Sequence, residues 1–230
     1  AVSATSDPSG PWHKYRFNVD ADAAFDFDID SPNIAVDDQT VYLTADFFGP
    51  DKYLIYTVDK APVLEGAANP TTNSLLLINE QSWGLAVSYD NPPAQYTIEA
   101  GLGFSETTVI LRAITDPFGS LNIDEYVLTV PAYQFPEDPP SQGTTERPEL
   151  FEARFWSCMY RNGYLWATHH VNSARVRQRW YQIAMNGWPA GGTPELVQWG
   201  EVDPGSPVRT FFGSIWADEQ NNMSMTFARS

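Results

Sequence analysis

Two adjacent histidines, His169-His170, are the side chains whose type best suits them to chemistry. In an extended stretch from Leu165 to Val171 successive side chains alternate, so Trp166, Thr168 and His170 share one face. Leu165, Ala167 and His169 share the other. The two rings therefore point apart and cannot grip one metal ion together, and only one can face a pocket. A histidine acting as general base beside Tyr160 or Arg161 suits proton abstraction or stabilisation of an anionic sugar acid. The plainer alternative is a hydrogen-bonded ring that fills space between packed elements.

A second constellation is Asp26, Asp28 and Asp30, at i, i+2 and i+4, with Asp20 and Asp22 upstream. If the segment is extended, three carboxylates line one face, and hard oxygen ligands of that kind suit a structural Ca²⁺. Their mutual repulsion in the absence of a cation points the same way. The spacing lacks the glycine and terminal Glu of an EF-hand loop, however, and acidic loops are common on so acidic a chain. No other cofactor is indicated: the sequence has no Gly-x-Ser-x-Gly elbow, P-loop, dinucleotide fingerprint or His-Glu-x-x-His.

Recognition residues are the third class. Trp156, Trp166, Trp180, Trp188, Trp199 and Trp216 crowd the second half of the chain. On an exposed rim they would stack on sugar rings or grip a partner, whereas strand tryptophans more often wedge between sheets. Trp188, among the turn residues Asn186 to Gly192, is the better ligand-binding candidate, with Trp166 and Arg175 beside it. Arg147, Arg154, Arg161, Arg175, Arg177 and Arg179 also concentrate in one stretch. They suggest a local anion site in which Arg161 or Arg175 grips a carboxylate or sulfate; pairing with nearby acids is the alternative. The single cysteine, Cys158, sits in the apolar run Phe155 to Tyr160 and reads as a buried, inert thiol.

The elements that must carry these residues are strands. Asp37-Asp38-Gln39-Thr40-Val41-Tyr42-Leu43, Arg161-Asn162-Gly163-Tyr164-Leu165-Trp166 and Asp218-Glu219-Gln220-Asn221-Asn222-Met223 each place a polar turn before alternating apolar residues. Candidate strands form groups: 33–58; 74–131; 154–199; and 211–228. The loop 134–147 is polar and proline-rich. Four groups of about 40–50 residues match the spacing of propeller blades. The expected fold is thus all-β, a β-propeller with about four blades' worth of strands, 1–230 forming one domain or a fragment of one. A β-sandwich is the runner-up.

With 29 acidic and 13 basic residues, the chain has a formal net charge of -16, which disfavours nucleic acid and anionic lipid. No apolar stretch approaches the roughly 20 residues that cross a bilayer. The opening Ala1 to Ser6 does not read as a signal peptide.

Several segments resemble bacterial secreted β-propeller proteins of uncharacterised function. Ala1 to Phe17, containing Asp7-Pro8-Ser9-Gly10-Pro11-Trp12-His13-Lys14-Tyr15, is similar to a recurring segment of that family, as are Asp30-Ser31-Pro32-Asn33-Ile34-Ala35-Val36 and Tyr160 to His169. Arg179-Trp180-Tyr181-Gln182-Ile183 and Ser214-Ile215-Trp216-Ala217-Asp218 continue the likeness in order. Ser31 replaces a usual aromatic, and His170 is an added histidine. The resemblance implies an internal portion of a six-bladed ring in an extracellular or periplasmic bacterial setting. It carries no activity. The expected function is a binding or scaffold module recognising glycan or protein, with assembly through open blade edges as a further role. The alternative is a lyase or glycoside hydrolase acting on an acidic polysaccharide.

Overall fold

Short alternating segments separated by Asx-type turns give a fold whose regular structure, among the described residues, is almost wholly strand. The structure is a computed structural model that describes residues 1–18, 29–47, 52–78, 80, 83–101 and 105–230. These fall into two compact units, residues 1–82 with 115–122, and residues 83–114 with 123–230.

In the first unit β1 (Val2–Ser3) pairs with β2 (Trp12–His13). Between them Asp7 Oδ1 accepts from the Ser9 backbone N–H at 2.9 Å and from its hydroxyl at 2.7 Å, the local bond that makes Asp a turn residue. β3 (Ile29–Val36), β4 (Thr40–Phe47), β5 (Lys52–Asp59) and β6 (Thr72–Ile78) form an antiparallel meander in chain order. The β3–β4 turn closes where Asp37 Oδ1 accepts from the N–H groups of Gln39 and Thr40 at 2.8 and 2.6 Å. Between β5 and β6 lies α1 (Lys60–Glu65), capped by Asp59 and ended by Gly66 at φ 75°. Pro62 is tolerated because it falls in the first turn, where a backbone N–H has no helical partner. Residues 74–78, grouped by sequence with the strands that follow them, belong instead to the first meander: β6 pairs with β5 from Val58↔Thr72 to Lys52↔Ile78.

The second unit holds two further meanders and a hairpin. β7 (Gly84–Leu85) and the short β8 (Val87–Ser88) precede β9 (Gln95–Ala100), β10 (Ser105–Thr115) and β11 (Asn122–Gln134); β7, β9, β10 and β11 form the first meander, and β8 stands outside it. The next comprises β12 (Phe155–Arg161), β13 (Tyr164–Asn172), β14 (Val176–Ala184) and β15 (Glu195–Val202). β16 (Thr210–Ala217) and β17 (Met223–Arg229) make the hairpin. β8 runs parallel to β12, and Gln134 of β11 pairs with Asn172 of β13. The nine-stranded sheet thereby almost closes on itself, barrel-like.

Its enclosed core contains Tyr96, Ile98, Leu111, Phe155, Leu165, Ala167, Tyr181 and Ile183. The other face of β12–β14 buries Met159 and Trp166 against Ile215 and Ala217 of β16. β13 is thus covered on both sides, which explains its nearly continuous burial from Leu165 to Val171. The inner edge of β16 is satisfied by side chains: the N–H groups of Gly213, Ile215 and Ala217 donate to Gln178 Oε1 (3.0 Å), Ser157 Oγ (3.2 Å) and Met159 Sδ (3.0 Å). Gly213 is required there, because a Cβ would lie 2.4 Å from the buried Gln178 side chain. The fold is all-β.

Candidate functional site

The histidine pair alternates as a strand demands, and both rings are spoken for. His169 faces the enclosed core, with Nδ1 donating to Ala153 O at 2.8 Å and Nε2 accepting from the Tyr181 hydroxyl at 3.1 Å. Its ring stacks on Phe155 at 4.2 Å and is fully buried. Burial pulls its pKa down to about 3, opposed by the Ala153 carbonyl and reinforced by the charge of Arg179. His170 faces the hairpin side: Nε2 donates to Leu150 O at 3.1 Å and Nδ1 accepts from the Phe212 N–H at 3.5 Å. Burial lowers its pKa as well.

Tyr160 and Arg161 do not join them. Tyr160 sits opposite Leu165, four residues along β13 from His169, a separation of about 14 Å. No general base beside Tyr160 or Arg161 is formed by either histidine. Tyr160 is buried beside Tyr96, and burial, with Asp90 nearby, raises its hydroxyl pKa. Arg161 pairs with Glu219 at 3.1 Å and lies over the Tyr89 ring at 5.4 Å.

The ligand-binding residues expected from sequence are also inside. Trp188 is only 9% exposed, stacked on Tyr96 with its carbonyl accepting the Tyr96 hydroxyl. Its loop folds back over the core, so the aromatic among turn residues is a plug and not a recognition tip. Trp166 is buried against β16. Arg175 is bonded to Asp203 and to Val208 O. The neighbouring arginines are likewise committed: Arg177 to Glu201 and Asp203, and Arg179 to Glu201 at 2.5 Å and to the carbonyls of Pro131 and Ala132. Burial alone would raise the Glu201 carboxyl pKa, but hydrogen bonds from Arg179, Arg177 and Ser173 hold it below its ordinary value. With Arg154 paired to Glu152, five of the six arginines are thus in ion pairs rather than an open anion site, and Arg147 donates to the Asp138 carbonyl at 2.9 Å.

Of the calcium candidates, Asp26 and Asp28 lie outside the described residues; Asp30 is exposed near the start of β3, opposite Asp46. Among the described residues no group of three or more His, Cys, Asp or Glu side chains could hold a metal ion.

A different surface in the second unit has the features of a site. On β12 the pairing steps from Phe155↔His169 to Ser157↔Thr168, leaving Trp156 as an extra residue. On β16 it steps from Phe211↔Ala228 to Ser214↔Thr226, and Phe212 adopts φ 48° within that irregularity. β-Bulges re-aim side chains, and these two send aromatic rings outward from neighbouring strands. Trp156 and Phe212 are 42% and 40% exposed and meet edge to face at 5.9 Å. His170 supports Phe212 from behind, its ring 5.3 Å away, and Arg154 lies over Trp156 at 5.8 Å.

A second aromatic pair stands farther along the same strand. Trp216, 42% exposed, meets Tyr89, 50% exposed, edge to face at 4.7 Å. Between the pairs lie hydroxyls: Ser214 Oγ is 3.3 Å from Ser157 Oγ, and Ser224 and Thr226 stand opposite Trp216 and Ser214 across the hairpin. The outward residues of β16 are therefore Phe212, Ser214 and Trp216, while Gly213, Ile215 and Ala217 face inward. This surface combines flat apolar rings with small donors and acceptors. In comparisons with known proteins, the chain matches no family model and no curated protein.

Proposed function

We propose that this chain is a bacterial extracellular binding module, a β-propeller or a portion of one, that recognises a glycan through the aromatic and hydroxyl face of β12, β16 and β17. Its support as a propeller is the repetition of four-strand antiparallel meanders, β3–β6, then β7 with β9–β11, then β12–β15, with the β16–β17 hairpin following them. Within the second unit the strands of successive meanders share one enclosed core, Tyr96, Ile98 and Leu111 meeting Phe155, Leu165 and Tyr181. The bacterial and extracellular setting rests on the sequence resemblance.

The observation that carries the binding role is the pair of bulges presenting Trp156 and Phe212 beside exposed serine and threonine hydroxyls. Aromatic planes offer large apolar contact area to a sugar face, and hydroxyls complement its polar rim. An acidic-polysaccharide lyase or hydrolase has less support, since both histidines are buried with bonded nitrogens.

An oligosaccharide array probed with the 230-residue protein tests this. Binding is expected for the parent and for Trp12→Ala, which alters an exposed tryptophan of the other unit, and is expected to fall sharply for Trp216→Ala. Undiminished binding by Trp216→Ala would reject the site, and release of shortened sugars would restore the enzymatic alternative.

A further inference from the structure

We infer that the ligand of this face is an uncharged oligosaccharide long enough to engage both aromatic pairs at once; this rests on the glycan-binding role proposed above. Phe212 and Trp216 stand four residues apart on β16, about 13 Å along the strand. That span exceeds one sugar ring. The hydroxyls of Ser157 and Ser214 lie between the two pairs, where the middle of a bound chain would need polar partners. A single sugar would contact only one pair and leave the other idle.

Charge argues for a neutral chain. Arg154 and Arg161, the cations stacked on Trp156 and Tyr89, are each bonded to a carboxylate, Glu152 and Glu219. Binding a uronate or sulfate would break one of these pairs or bring its charge against an already neutralised arginine. The chain's net charge of -16 adds a repulsive field. The composition of the face also distinguishes it from a surface made for sheet packing. Its outward positions on β16 alternate aromatic and serine, whereas the packed side of the same strand carries Phe211, Gly213, Ile215 and Ala217.

The test is calorimetric titration of the full 230-residue protein with neutral gluco-, manno- and xylo-oligosaccharides from one to six units, and with uronate oligosaccharides of the same lengths. Sedimentation is run in parallel. Affinity is expected to rise at least about tenfold between the monosaccharide and the chain that first spans both pairs, then level off. Trp156→Ala and Trp216→Ala are each expected to remove that rise while leaving short-chain binding at the intact pair. Proton NMR dispersion of each variant confirms that it is folded. Equal affinity for one unit and for six, or tighter binding of the uronate series, overturns this inference but leaves a glycan site standing. Binding of no sugar in any series, or a stable dimer abolished by Trp216→Ala, overturns the glycan role as well.

Discussion

The buried ring of His169 makes the protein acid-labile by a calculable amount. Its ordinary pKa of 6.5 falls to about 3 in the folded chain, principally because charging the ring would strand a cation in the core. Between pH 6.5 and pH 4 the unfolded chain takes up a proton at this ring and the folded chain does not. The contribution of this group to stability is therefore fully present above pH 6.5 and declines as pH falls, by about 1.4 kcal/mol per unit. The accumulated loss is about 3 kcal/mol at pH 4, a large part of the 5–15 kcal/mol typical of a domain. His170, depressed by burial too, acts in the same direction. His169→Gln removes the titration while its amide can still donate to Ala153 O and accept from Tyr181. Loss of stacking on Phe155 lowers its stability at every pH, which displaces the curve without tilting it. Urea denaturation of both proteins at pH 7, 6, 5 and 4 isolates the effect, because carboxylate contributions cancel in the difference. The parent's advantage is expected to shrink by about 3 kcal/mol across that range. A difference constant with pH would refute the reasoning and mean that the ring takes up its proton at the same pH in the folded chain as in the unfolded one.

Two further outcomes separate structural from binding residues. Trp188→Ala is expected to cost about 3–5 kcal/mol in chemical denaturation, since it empties a core site beside Tyr96, while sugar binding by the folded fraction is unchanged. Glu201→Gln removes the carboxylate shared by Arg177 and Arg179 and leaves the 2%-exposed Arg179 without its counter-ion. A loss of about 3 kcal/mol or more is expected, read as a lowered denaturation midpoint at pH 7. A change within about 0.5 kcal/mol would show that the pair contributes no net stability.

Local chemistry decided the strands and their turns. Asp37 and Asn162-Gly163 announce reversals because an Asx carboxylate can bond the next N–H groups and because Asn and Gly accept positive φ, here 52° and 83°. The alternation of Leu165 to Val171 likewise places His169 and His170 on opposite faces whatever lies beyond them. Which neighbours cover each face is another matter. It depends on how whole meanders stack, and no residue encodes that in its immediate surroundings. Hence Trp188 lies inside despite its loop, and the arginines meet acids distant in sequence, Arg161 with Glu219 and Arg175 with Asp203. Trp156 and Phe212 reach the surface through single-residue slips in pairing. A bulge follows from register against a partner strand, so the feature that exposes these rings arises only when the sheets assemble.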